Sequence, residues 1–240
     1  MSGPLILVGG EAFTQPFDKY HLRFFRAAAT DTRATVVFLP TAAEIFPNDD
    51  TVDAAYRLAR MATVATVPAR TRDEAANAET AAGVAAADVI YLGDGDSGRL
   101  VRTLVGTTVG EAIAAAYAGG ATLIGAGAGA AAFCTSVPAR PDDVPARPGE
   151  PFFRWFPGFD LLRGVTVLPR YNRTPEVWLR SLRENAPTDS PLLGIDDVTA
   201  LVWDGTTWKV MGYGRVVLDN GHTFRTFGAN EQVPIPPPAA

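Results

Sequence analysis

The chain has 240 residues, 47% hydrophobic and 20% charged, an ordinary composition for a folded protein and enough length for one large α/β domain. With 26 acidic against 21 basic residues the net charge is −5 and no basic patch stands out, which argues against nucleic acid or an anionic membrane as partner. The single cysteine, Cys134, excludes an internal disulfide framework, and no Cys/His group has zinc spacing. Neither a metal nor a cofactor is expected, and a reducing cytoplasm is the simplest compartment.

The opening run Met1–Val8 lacks a basic stretch and a long apolar core, so it does not read as a signal peptide. Leu5–Val8 is the first expected strand, broken by Gly9-Gly10, and a helix is expected from about Phe17 to Ala28. Thr35–Leu39 follows as a strand closed by Pro40. A helix near Val52–Met61 leads to the β-branched run Thr63–Val67, and Val89–Leu92 and Ala121–Ile124 are the next strands. This alternation predicts an α/β fold: a mostly parallel, doubly wound sheet with helices on both faces. Each strand ends in Gly, Pro or Asp at its carboxyl end, where such sheets place their sites. No charge lies between Glu111 and Arg140, yet Gly119, Gly120, Gly125, Gly127 and Gly129 fill that stretch. A buried helix–strand–helix passage is expected there rather than a membrane span.

Beyond Ala132 the texture changes. Pro138–Gly158 carries six prolines together with Phe152, Phe153, Trp155 and Phe156, and predicts an irregular surface loop whose aromatics seal onto the domain. Val165–Leu168 reads as a strand and Pro175–Asn185 as a helix with proline in its first turn. From Leu192 onward short strands alternate with turns: Thr199–Trp203, Lys209–Gly212 and Arg215–Leu218, an antiparallel C-terminal extension at the sheet edge. Residues 1–225 are thus expected to form a single domain. Residues 226–240 form a proline-rich tail, disordered or draped on the surface.

Four segments carry a family resemblance: Val8-Gly9-Gly10 with Leu39-Pro40-Thr41; Ile90-Tyr91-Leu92-Gly93-Asp94-Gly95-Asp96-Ser97; Gly125-Ala126-Gly127-Ala128-Gly129-Ala130; and Gly194-Ile195-Asp196-Asp197-Val198-Thr199. In order and spacing the chain resembles the cyanophycinase and aspartyl dipeptidase family of serine peptidases, and the resemblance implies a class I glutamine amidotransferase-like fold. A strand that turns sharply into a helix needs small residues, and its outward-facing amides suit an anion or carbonyl oxygen. In the family the centre of that turn is the serine nucleophile; here it is Gly127. The resemblance places a histidine base after the strand Val165–Leu168, where this sequence has Arg170. An arginine stays protonated and cannot accept a proton.

The resemblance and the residues together imply a non-catalytic relative whose vestigial cleft is framed by Gly95, Asp96, Ser97, Gly127, Ala128 and Arg170. Its amide donors and the one guanidinium suit a small anionic ligand or a peptide, and self-association is left open. Ser97 is expected to cap the following helix. Asp196 and Asp197 are expected to fix nearby backbone. The alternatives are an enzyme with relocated chemistry, through Asp94, Asp96 or Glu11 as acid/base or metal ligands or through Cys134, and an interaction protein docking through the aromatic loop. His21 and His222 have no evident partners in sequence.

Overall fold

Short, mostly apolar runs dictate the centre of the molecule, because a strand buried on both faces has little room for polar side chains. The computed structural model describes residues 2–13, 17, 19–20, 23, 34–44, 54, 63–140, 153–187 and 190–239. In chain order the described strands are β1 Leu5–Val8, β2 Thr35–Leu39, β3 Thr63–Thr66, β4 Val89–Leu92, β5 Thr122–Ala126, β6 Ser136–Ala139 and β7 Arg154–Pro157. They continue with β8 Thr166–Pro169, β9 Leu192–Ile195, β10 Thr199–Trp203, β11 Trp208–Gly212, β12 Val216–Asp219 and β13 Phe224–Phe227.

Seven strands form the main sheet in the order β11-β10-β1-β5-β4-β2-β3. From β1 to β3 the pairing is parallel, and β10 and β11 add antiparallel at one edge. Alternate side chains face opposite cores. Leu5, Leu7, Val37, Leu39, Ile90, Leu92 and Leu123 point into the larger one. Ile6, Val8, Val36, Phe38, Val89, Tyr91 and Ile124 point into the other, with Phe17 and Ala54 packed against them. On the larger-core side lie the helices Ala78–Ala85, Ser97–Leu104 and Thr108–Ala118, each started by a side chain that accepts from a first-turn amide: Asn77, Asp96 and Thr107. The cap of the helix Ser97–Leu104 is therefore Asp96, on Arg99 N at 2.7 Å, rather than Ser97. Aspartate reaches that amide from one residue earlier.

Two other expectations need correction, and one strand was missed. The ends of the proline-rich stretch are not irregular: β6 and β7 pair antiparallel, with Pro138 opposite Trp155. A two-stranded ribbon has free edges, where a missing amide costs no ladder bond. Phe153 packs on Trp155 and Trp178, and Phe156 lies under the Arg102 guanidinium at 5.0 Å; residues 141–152 lie outside the described set. The C-terminal strands do not all extend the main sheet. β8, β9, β12 and β13 form a second, four-stranded sheet in the order β13-β12-β9-β8. The strand Phe224–Phe227 escaped the sequence because three of its four residues are exposed and no apolar run marks it.

Most of the expected helices Phe17–Ala28 and Val52–Met61 lies outside the described residues, as does His21. The tail is draped: Val233 N donates to Trp208 O, Trp208 Nε1 to Pro236 O, and Ala239 N to Leu161 O. Among the described residues no helix is long and apolar enough to cross a membrane.

Candidate functional site

The site begins where β5 ends. Gly127 joins the strand to the helix Ala128–Ala132 with φ 51° and ψ −110°, a backbone that a residue with a side chain adopts only under strain. Its amide donates to Val8 O at 2.9 Å, fastening the turn to β1. Gly125 and Gly129 let the helix lie directly on the strands, since a Cβ at either would overlap backbone of the facing segment. The sharp strand-to-helix turn expected from the sequence is present, with Gly127 at its centre.

A Cβ built on Gly127 would overlap the carboxylate of Asp94. That carboxylate comes from the turn after β4. Its Oδ1 accepts from Gly95 N at 2.8 Å and from Ala128 N at 3.1 Å. Its Oδ2 accepts from Arg170 Nη2 at 2.5 Å. The amides and the guanidinium expected to face an outside anion are thus engaged by one internal carboxylate. Behind it, burial and then the Asp94 charge push the Tyr91 hydroxyl far above its ordinary range, so Tyr91 stays neutral.

Arg170 follows β8 in the left-handed region, φ 53° and ψ 38°, and its amide donates to Gly9 O. Its Nη1 lies 3.5 Å from Glu11 Oε1 and 3.7 Å from Asp197 Oδ1. Arg173 closes the network, Nη2 at 3.2 Å from Glu11 and Nε at 2.6 Å from Asp197. Partial burial works against the charge of Arg170, and Asp94, Asp197 and Glu11 more than offset it, so its pKa is raised above that of a free arginine. It is a permanent cation.

Glu11 at φ 51° and Val198 at φ 50° share the left-handed backbone with Arg170. For the β-branched Val198 this is a marked departure. Three strained residues therefore surround one ion cluster. Asp196 does fix backbone, as expected, its Oδ2 accepting from Arg215 N at 3.0 Å. Asp197 instead has its own amide held by Asn172 Oδ1, and its buried carboxylate pairs with both arginines. Arg173 and the pairing of Glu11 were missed by sequence reasoning. The available signal was the three-residue spacing of Arg170 and Arg173 across the 3₁₀ turn Tyr171–Arg173, which stacks them on one side.

A cleft of about 470 Å³ opens beside the cluster, lined by Phe13, Phe38 and Tyr91 and by Glu11, Glu44, Asp94, Gly95 and Arg170. Of the residues expected to frame it, Asp96, Ser97 and Gly127 do not line it, and Ala128 contributes only its amide to Asp94. Glu11 and Asp94 meet on the Arg170 guanidinium, and Asp96 does not join them. Two are tied to guanidiniums and the third caps a helix, and no group of three or more metal-ligating side chains gathers among the described residues. Cys134 lies just past the helix Ala128–Ala132, not inside it. It is fully buried and accepts from Val167 N at 3.2 Å, and burial pushes its thiol up to about 12. His222 is exposed in the turn between β12 and β13.

Comparison with known proteins agrees with this fold. A peptidase from an acI-B1 Actinobacterium superposes with a TM-score of 0.82 at 27% identity, over 97% of each chain. A putative peptidase E protein from Listeria monocytogenes EGD-e shares the fold, with a TM-score of 0.64 at 19% identity over 89% of this chain and 100% of that one. No curated protein matches the chain. Residues 5–211 match peptidase family S51, from the first strand of the main sheet to its last, and the chain belongs to that family.

Proposed function

We propose that this chain is a non-catalytic member of family S51 whose cleft binds rather than hydrolyses. The observation that carries the reading is the Asp94 carboxylate, seated on Gly95 N and Ala128 N in the space a side chain at position 127 would need. Acyl transfer requires a nucleophile at the turn, a neutral base beside it and free donors for the developing oxyanion. Gly127 supplies no nucleophile. Arg170 supplies no base, and its partners strengthen its hold on the proton. The donors are taken. What persists is an open cleft with aromatic walls that could receive a small ligand or a peptide.

Incubation with an excess of an alkyl fluorophosphonate, followed by intact-mass measurement, tests the reading. The reagent phosphonylates an activated hydroxyl with loss of fluoride. The expected spectrum holds only unmodified protein. One equivalent of adduct on a cleft peptide would contradict the reading and reveal a nucleophile elsewhere in the cleft.

A further inference from the structure

We propose that Gly95, Ala128 and Arg170 form a carboxylate-binding site whose resident ligand is the chain's own Asp94, and that a free monocarboxylate takes the same seat once that side chain is removed. The proposal rests on the reading above in treating the cleft as a place of binding.

Three donors from three separate segments meet on one carboxylate: the turn after β4, the turn after β5 and the residue after β8. Each is held by bonds that do not involve Asp94. Gly127 N on Val8 O fixes the turn that presents the Ala128 amide. Asp96 N on Ala42 O fixes the turn that presents Gly95. Arg170 is anchored through its backbone to Gly9 O, and its guanidinium is held from behind by Glu11 and Asp197. Deleting the carboxylate therefore leaves the donors converging on a gap of known size. Two amides and one guanidinium match the two oxygens of a carboxylate, with charge-assisted bonds on both.

In the wild-type chain a tethered carboxylate competes at a high effective concentration, so outside carboxylates are excluded. The gap is also specific in shape. Asp94→Ala removes a COO⁻ group, the size of formate. Asp94→Gly removes CH₂COO⁻, the size of acetate. Asp94→Asn keeps the seat filled.

Thermal melting of the wild type and the three variants in sodium formate, sodium acetate or sodium chloride of equal ionic strength tests this. In chloride, Asp94→Ala and Asp94→Gly are expected to melt below the wild type. Formate should raise the melting point of Asp94→Ala, and acetate that of Asp94→Gly, by a few degrees in a saturable manner. The wild type and Asp94→Asn should melt alike in all three salts. If neither truncated variant folds in chloride, the same series is read as recovery of folded protein with the matching carboxylate. Superimposable behaviour of both variants in carboxylate and chloride overturns the proposal, as does an equal response from the wild type. Fluorophosphonate labelling of the wild type would overturn the non-catalytic reading and leave this melting pattern untouched, so the two failures are distinct.

Discussion

A serine placed at position 127 would enter a turn that has lost the room for it. Its Cβ meets the Asp94 carboxylate before its hydroxyl could meet Arg170. The backbone there, at φ 51°, costs a residue with a side chain about 1–3 kcal/mol by itself. Gly127→Ser is therefore expected to be less stable by at least that amount in urea denaturation, and to show no turnover. Measurable turnover by this single variant would overturn the assignment of Arg170 to the position of the base. Cys134 gives a second prediction. Its thiol is held neutral up to about 12 in the fold, whereas an unfolded chain ionises near about 8.5. The folded pKa lies above the unfolded one, so the fold binds the extra proton. Stability from this group falls as the pH rises through that window. At pH 8 the native thiol should resist iodoacetamide and the urea-unfolded thiol should react. Native labelling at a rate near that of a free thiol would place Cys134 outside the core.

Between elements, an ion pair joins the helix Glu176–Glu184 to β12 of the second sheet. Arg183 meets Asp219 through Nε at 2.6 Å and Nη2 at 2.5 Å, and the Asp219 side chain is wholly buried. Arg183→Met leaves that carboxylate unpaired and should cost about 3–5 kcal/mol, while Arg183→Met with Asp219→Leu should recover part of the loss. A double-mutant cycle in urea measures both; additive losses would show that the pair is not coupled. The tail is a second tie. Removing residues 233–240 strips the buried Val233 and two bonds at Trp208, and should cost about 2–4 kcal/mol. An unchanged urea midpoint would mean the tail does not hold Trp208. The strands β1, β2, β4 and β10 were legible to the residue because each is a short apolar run stopped by a turn former or a polar residue. β13 was not, because an exposed edge strand has no apolar pattern to read. β6 and β7 were hidden for another reason: prolines on a two-stranded ribbon cost nothing, yet in sequence they argue against any strand.

Across the whole molecule, the parallel sheet and the place of the site at its carboxyl ends followed from hydrophobic periodicity, which is local. Gly127 and Arg170 were legible as departures within recognisable motifs. The meaning of Asp94 was not, because its partner Arg170 lies 76 residues away and the amide of Ala128 lies 34 away. An acidic residue in a glycine-rich turn reads as a cap until the fold brings a guanidinium to it. The same holds for Glu11, Asp197 and Arg173, charges from three segments that become one cluster only at the sheet's end. The donors expected to face an outside anion hold, in the fold, the carboxylate of the chain's own Asp94.

In the proposed reading, Gly127, Asp94 and Arg170 together have removed hydrolysis from a family S51 cleft. Its most direct test is turnover of the purified wild-type chain on a panel of aspartyl dipeptides and β-linked aspartyl-arginine, with and without divalent metals, followed by mass spectrometry. The expected rate is indistinguishable from buffer under every condition. Reproducible hydrolysis that disappears in Asp94→Asn, and survives substitution of residues remote from the cleft, would contradict it and show that the chemistry has moved rather than gone.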